Sequence, residues 1–112
     1  MPSSKSVPDS VDYLTEGELL FLTRHRNRMS LRRWTERQGI NLKKYIQSER
    51  NQTRSRLLLS DWIAYQRCVI YRRRSKMTQD QVAKELGVSR GWVNSMERGR
   101  APCETLVWYW EA

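Results

Sequence analysis

The sequence predicts an all-α protein made of two small helical modules in tandem, the first a degenerate copy of the second. Two observations carry that prediction. Apolar residues recur at three- and four-residue spacing between recognisable caps and stop glycines, and no alternating strand pattern interrupts them. In addition, one half of the chain overlays the other in register. The expected organisation is a disordered Ser/Pro-rich tail over 1–10, a first module over 11–56 and a second over 57–112.

Thr15-Glu16-Gly17-Glu18 has the form of a capping box and opens a first helix carrying Leu19, Leu20 and Leu22 to about Arg28. Leu31 and Trp34 lie on a second helix that ends before Gly39, and Asn41 caps a third from Leu42 to about Glu49. Asn51-Gln52-Thr53 breaks the pattern. Leu57-Leu58-Leu59 follows, and Ser60-Asp61 is placed to cap a long helix through Trp62, Ile63, Cys68, Val69 and Ile70 to Arg72-Arg73-Arg74. Thr78 caps the next helix, which buries Val82, Ala83 and Leu86 and stops at Gly87. Ser89 caps another through about Glu97, ended by Gly99. Pro102 suits the first position of a short last helix, Cys103 to Trp110.

The repeat has an offset of 48 residues, so that Met29 falls on Met77 and Ser30 on Thr78. Gly39-Ile40-Asn41 falls on Gly87-Val88-Ser89, Glu49-Arg50 on Glu97-Arg98, and Arg24 on Arg72. Cap, turn glycine, apolar successor, second cap and Glu-Arg thus recur in order.

Charge bounds the partners. Twenty-one Lys and Arg against twelve Asp and Glu give +9, with a pI near 10.2. Such a field attracts polyanions, because each neutralised phosphate releases condensed counterions. Arg outnumbers Lys, and a guanidinium grips phosphate or guanine with two parallel hydrogen bonds. Cys68 and Cys103, with His25 as the lone histidine, give neither a disulfide framework nor a metal cage, so no metal or cofactor is expected. The first residues lack the hydrophobic stretch of a signal peptide and no apolar run approaches a membrane span, so a cytoplasmic, membrane-free protein is expected. No carboxylate cluster, nucleophile with base, or phosphate-cradling glycine loop points to an enzyme.

Between Lys76 and Arg100 the residues have a joint logic. Ala83 is small where two helices must cross closely, Gly87 takes a left-handed turn, Val88 plugs it, and Val93 and Met96 anchor the following helix. Arg90, Gly91, Trp92, Asn94 and Ser95 remain on its other faces. The first three stand at the end whose dipole favours phosphate and which can enter a major groove. From about Asp61 onward the chain resembles the Cro/phage-repressor (XRE) family of helix-turn-helix regulators, a lambda-repressor-like fold. Gln79, Ala83, Gly87-Val88-Ser89 and Glu97-Arg98-Gly99 carry the resemblance.

The resemblance implies that Gln79 and Ser89 hold phosphates and that Arg90, Gly91, Trp92 and Ser95 face the bases, with Asn94 nearer the edge. Arg98 and Arg100 would meet the flanking backbone. It also implies a structural ion pair between Arg72 and Glu97, which Arg24 and Glu49 repeat in spacing. Gly91 and Trp92 depart from the usual readers: one has no side chain, and the other offers an apolar face suited to a thymine methyl or to a protein partner. In the first module Leu31 replaces Gln79 and Ser48 replaces Met96, yet Arg32, Lys43, Lys44 and Gln47 keep a polar, basic face that could contact DNA.

The expected function is a sequence-specific double-stranded-DNA-binding transcriptional regulator, a repressor of a phage or mobile element, acting as a homodimer. The alternative is an antitoxin-like or adaptor module that binds a protein through Val107, Trp108, Tyr109 and Trp110.

Overall fold

The structure is a computed structural model that describes residues 12–112; the tail expected over 1–10 lies outside the described residues. The chain divides into a unit ending at Asp61 and a unit from Trp62 to Ala112. Helices dominate both, in keeping with the all-α expectation, and none among the described residues is long and apolar enough to cross a membrane.

The first unit holds strand β1 (Tyr13–Thr15), helices α1 (Glu16–Arg26), α2 (Leu31–Gln38) and α3 (Leu42–Glu49), strand β2 (Arg54–Leu58) and a 3₁₀ turn at Leu59–Asp61. The capping box is complete: Thr15 Oγ1 accepts from the Glu18 N–H at 3.1 Å, and Glu18 Oε1 accepts from the Thr15 N–H at 2.9 Å. Leu14, Phe21, Leu22, Tyr45 and Leu59 are buried. The Tyr45 hydroxyl donates to the Leu20 carbonyl at 3.2 Å, and burial beside Glu49 pushes its pKa up to about 12.

The strands correct the expectation of a strand-free chain. β1 and β2 pair antiparallel, Tyr13 opposite Leu58 and Thr15 opposite Arg54, with an irregularity between. Leu14 and Ser55 turn inward, and the Arg54 guanidinium lies 5.0 Å from the Tyr13 ring centroid. The pairing ties residues 57–59 to the first unit, so the division falls after Asp61 rather than at 56/57. Two helix starts also differ. The 3₁₀ turn occupies Ser60 and Asp61, so the long helix begins later and without a side-chain cap. The last helix begins at Glu104, after Cys103 rather than at it.

The second unit holds α4 (Ala64–Arg74), α5 (Gln79–Leu86), α6 (Arg90–Glu97) and α7 (Glu104–Glu111). Cys68, Val82, Ala83, Val93, Met96 and Leu106 form its buried core, flanked by Met77, Leu86 and Val88.

The 48-residue repeat is present in the backbone. α1–α3 and α4–α6 each have 11, 8 and 8 residues. Arg28 and Lys76 both take positive φ, 57° and 56°, and Gly39 and Gly87 close α2 and α5 at 68° and 71°. One close contact is built in mirror fashion. A Cβ on Gly17 would lie 2.2 Å from the Glu49 carbonyl oxygen, whereas in the second unit it is Gly99 that lies under the ring of Tyr65, the residue matching Gly17. Each unit needs a glycine where the first helix meets the segment after the third, and each places it on the opposite partner.

Candidate nucleic-acid interface

The interface is built on a buried carboxylate. Glu97 is 2% exposed at the end of α6. Arg72, in the last turn of α4, meets it with two parallel bonds, Nε to Oε2 at 2.7 Å and Nη2 to Oε1 at 3.0 Å. The third arm of the guanidinium donates to the Met77 carbonyl at 3.1 Å, which fixes the turn into α5. Gln79, the first residue of α5, adds a third donor to Glu97 through Nε2 at 3.0 Å. Burial of a charge is tolerated only when its lone pairs are met in this way.

The first unit has the same clamp. Arg24 Nε and Nη2 reach Glu49 at 2.8 and 3.1 Å, and Nη1 donates to the Met29 carbonyl at 3.1 Å. Leu31 stands where Gln79 does and supplies no third donor.

On α6, Ser89 Oγ accepts from the Trp92 N–H at 3.0 Å and so caps the helix, leaving the hydroxyl proton free to donate outward. Arg90, Gly91 and Trp92 are exposed, Trp92 to 46%. Ser95 is half-buried, and its carbonyl accepts from the Arg100 N–H at 2.9 Å, which shapes the turn after the helix. The side chains of Arg90, Arg98 and Arg100 have no hydrogen-bond or ion-pair partner among the described residues. Cations that build the fold, Arg72 and Arg67, are thus separate from those facing outward.

An open concavity of about 400 Å³ is lined by Gln79, Arg90, Gly91, Asn94 and Arg98. It brings together four of the eight residues expected at DNA; Trp92, Ser95, Ser89 and Arg100 do not line it. Asn94, expected nearer the edge of the face, lines the concavity itself. Arg90, Asn94 and Arg98 are four apart and form one stripe along α6, and the Gln79 amide donates to Asn94 Oδ1 at 3.2 Å. The four-residue spacing was the available signal.

Arg32, Lys43, Lys44 and Gln47 are all exposed on the first unit. At the places of Gln79, Arg90 and Asn94, however, that unit carries Leu31, Leu42 and Ile46, each half-buried. Its basic residues therefore surround an apolar seam rather than a polar concavity.

The C-terminal aromatic residues divide. Tyr109 donates to Glu85 and meets Trp110 edge-on at 4.8 Å, whereas Trp108 is 67% exposed. Glu111 accepts from Arg67 at 2.8 Å and from the Tyr71 hydroxyl at 2.6 Å, bonds that hold its carboxyl below the usual range. Among the described residues no group of His, Cys, Asp or Glu is placed to hold a metal ion.

No curated protein and no solved structure gives a significant match to the chain. Residues 70–107, from late α4 into α7, match the family model described as a helix-turn-helix domain. The α5–turn–α6 segment, with its free arginines and Glu97 clamp, is therefore the core of a helix-turn-helix DNA-binding domain.

Proposed function

We propose that the protein is a sequence-specific transcriptional regulator of the Cro/phage-repressor type, with α6 lying in the major groove of double-stranded DNA. The observation that carries this reading is the set of unpartnered guanidinium groups, Arg90, Arg98 and Arg100, around the exposed start and end of α6. Arg90, Trp92 and Ser95 face the bases, with Gly91 allowing close approach of the backbone. Ser89, Arg98 and Arg100 hold phosphates, Ser89 through its free hydroxyl proton. Gln79 contributes its main-chain N–H, one of the unpaired donors at the start of α5. A repressor role at the DNA of a phage or other mobile element is what the resemblance of the second half implies.

The first unit acts in this reading as a second helix-turn-helix that grips backbone through Arg32, Lys43, Lys44 and Gln47. Its apolar seam at Leu31, Leu42 and Ile46 leaves it no polar reader at the matching places. A homodimer on a palindromic site is the expected assembly, and Trp108 is the exposed aromatic available to a second copy or a protein partner.

A salt titration of DNA affinity tests the proposal. Affinity should fall with a log–log slope of about −0.9 per phosphate contact. Arg90→Ala should lose about 1–3 kcal/mol at one base position and relax specificity there. Absence of any salt dependence would sink the DNA reading.

A further inference from the structure

The buried ion pair does more than brace the helices: it dictates which hydrogen-bonding atoms face the concavity. Glu97 is clamped through both oxygens by Arg72 and can only accept. The Gln79 side chain must therefore turn its NH₂ end toward Glu97, where Nε2 donates at 3.0 Å. The second hydrogen of that NH₂ meets Asn94 at 3.2 Å, which forces Asn94 to present its carbonyl Oδ1 inward. An amide with its oxygen fixed inward has its NH₂ outward. The orientation of both amides follows from the acceptor-only chemistry of Glu97 at the end of the chain.

Two polar atoms of the pair remain without partners among the described residues: Gln79 Oε1, an acceptor, and Asn94 Nδ2, a donor. Both residues line the concavity. We propose that Gln79 and Asn94 together read one adenine, Asn94 Nδ2 donating to N7 and Gln79 Oε1 accepting from N6. Adenine is the purine that shows an acceptor beside a donor in the major groove; guanine shows two acceptors and would set O6 against Gln79 Oε1. Arg90 and Arg98 flank the pair on the same face of α6 and keep the site attractive to DNA. Asn94 is in this arrangement the donor to the base, and Gln79 both accepts from the base and positions Asn94. The inference rests on the DNA-binding reading above and adds to its base-facing residues a pair that reads one further position.

Selection of bound sites from random duplex DNA by the full chain tests it. The unaltered protein should select A·T at one position within the footprint. In Asn94→Asp the inward oxygen is kept, so the Gln79 contact survives, while the outward donor becomes an acceptor. Two outward acceptors match the N4 donor of cytosine, so that position should shift to C·G with the others unchanged. Gln79→Ala should flatten preference at the same position, and Asn94→Ala, which adds no charge beside Glu97, should cost about tenfold in preference for A·T there. Affinity lost equally on all sequences in Asn94→Ala, with an unchanged site preference, would overturn the proposal and move Asn94 to the phosphate backbone. So would a preferred site that Gln79→Ala and Asn94→Ala both leave intact. Either result, with salt-dependent binding retained, would leave the DNA-binding reading standing; loss of salt-dependent binding in the unaltered protein would remove both.

Discussion

Glu97 and the residues around it concentrate the strongest single-residue predictions. With its carboxylate 2% exposed and three donors on it, Arg72→Met would strand a buried charge and cost about 3–5 kcal/mol of stability, measured by denaturant unfolding. Glycines give a graded series. Gly87 has positive φ but open space for a Cβ, so Gly87→Ala should cost about 1–2 kcal/mol, the left-handed penalty alone. Gly99→Ala adds a Cβ 3.1 Å from the Tyr65 ring and should cost more, and Gly17→Ala, at 2.2 Å from backbone, the most. Gly99→Ala as stable as Gly87→Ala would discard the mirror-contact account. The clamp between Arg72 and Glu97 was expected from the family resemblance of the second half, and Arg24 and Glu49 repeat its 25-residue spacing in the first. The place of Asn94 in the concavity was not legible in the sequence, because it is set by a partner on another helix, Gln79, and a helix read alone shows only its own faces.

At the scale of elements, local signals marked what local chemistry decides. Ser30, Asn41, Thr78 and Ser89 cap the helices expected of them, each side chain accepting from a backbone N–H three residues on. Both turn glycines take the left-handed conformation that ends a helix. Ser89→Ala should therefore lower stability by about 1 kcal/mol, read as a fall in melting temperature of several degrees. In the proposed function it should weaken DNA binding as well, since the hydroxyl proton is lost with the cap. The strands escaped for a physical reason. β1 has three residues and β2 five, too short for alternation to register, and their inward positions, Leu14 and Ser55, include a polar one. Their pairing is sealed by non-local backbone bonds, Glu16 N–H to Thr53 at 2.8 Å and Leu59 N–H to Asp12 at 2.9 Å, which no local pattern encodes.

For the whole molecule, the +9 charge divides into cations that hold the fold and cations left for a polyanion. The buried neutral acids set the alkaline limit of both units. Burial pushes the Cys68 thiol from 9.0 up to about 12, and burial beside Glu49 pushes the Tyr45 phenol from 10.0 up to about 12. Burial and the bond to Glu111 raise Tyr71 as well. In each case the folded pKa lies above the unfolded one, so the neutral form is favoured by folding. The contribution to stability is complete below the unfolded pKa and is lost as pH rises through the folded one. Glu111 runs the other way: its folded pKa is lowered, so its contribution is present above 4.5 and is lost as pH falls below that value. The melting temperature should accordingly fall as pH rises from about 9 to about 12. Tyrosinate absorbance should show part of the tyrosine content titrating late, together with the loss of helical circular dichroism. Cys68→Ala should lessen the alkaline fall without abolishing it, because Cys103, which burial also raises from 9.0, and the tyrosines Tyr45 and Tyr71 remain. A melting temperature flat from pH 9 to 12 would show that burial of these groups does not couple folding to their ionisation.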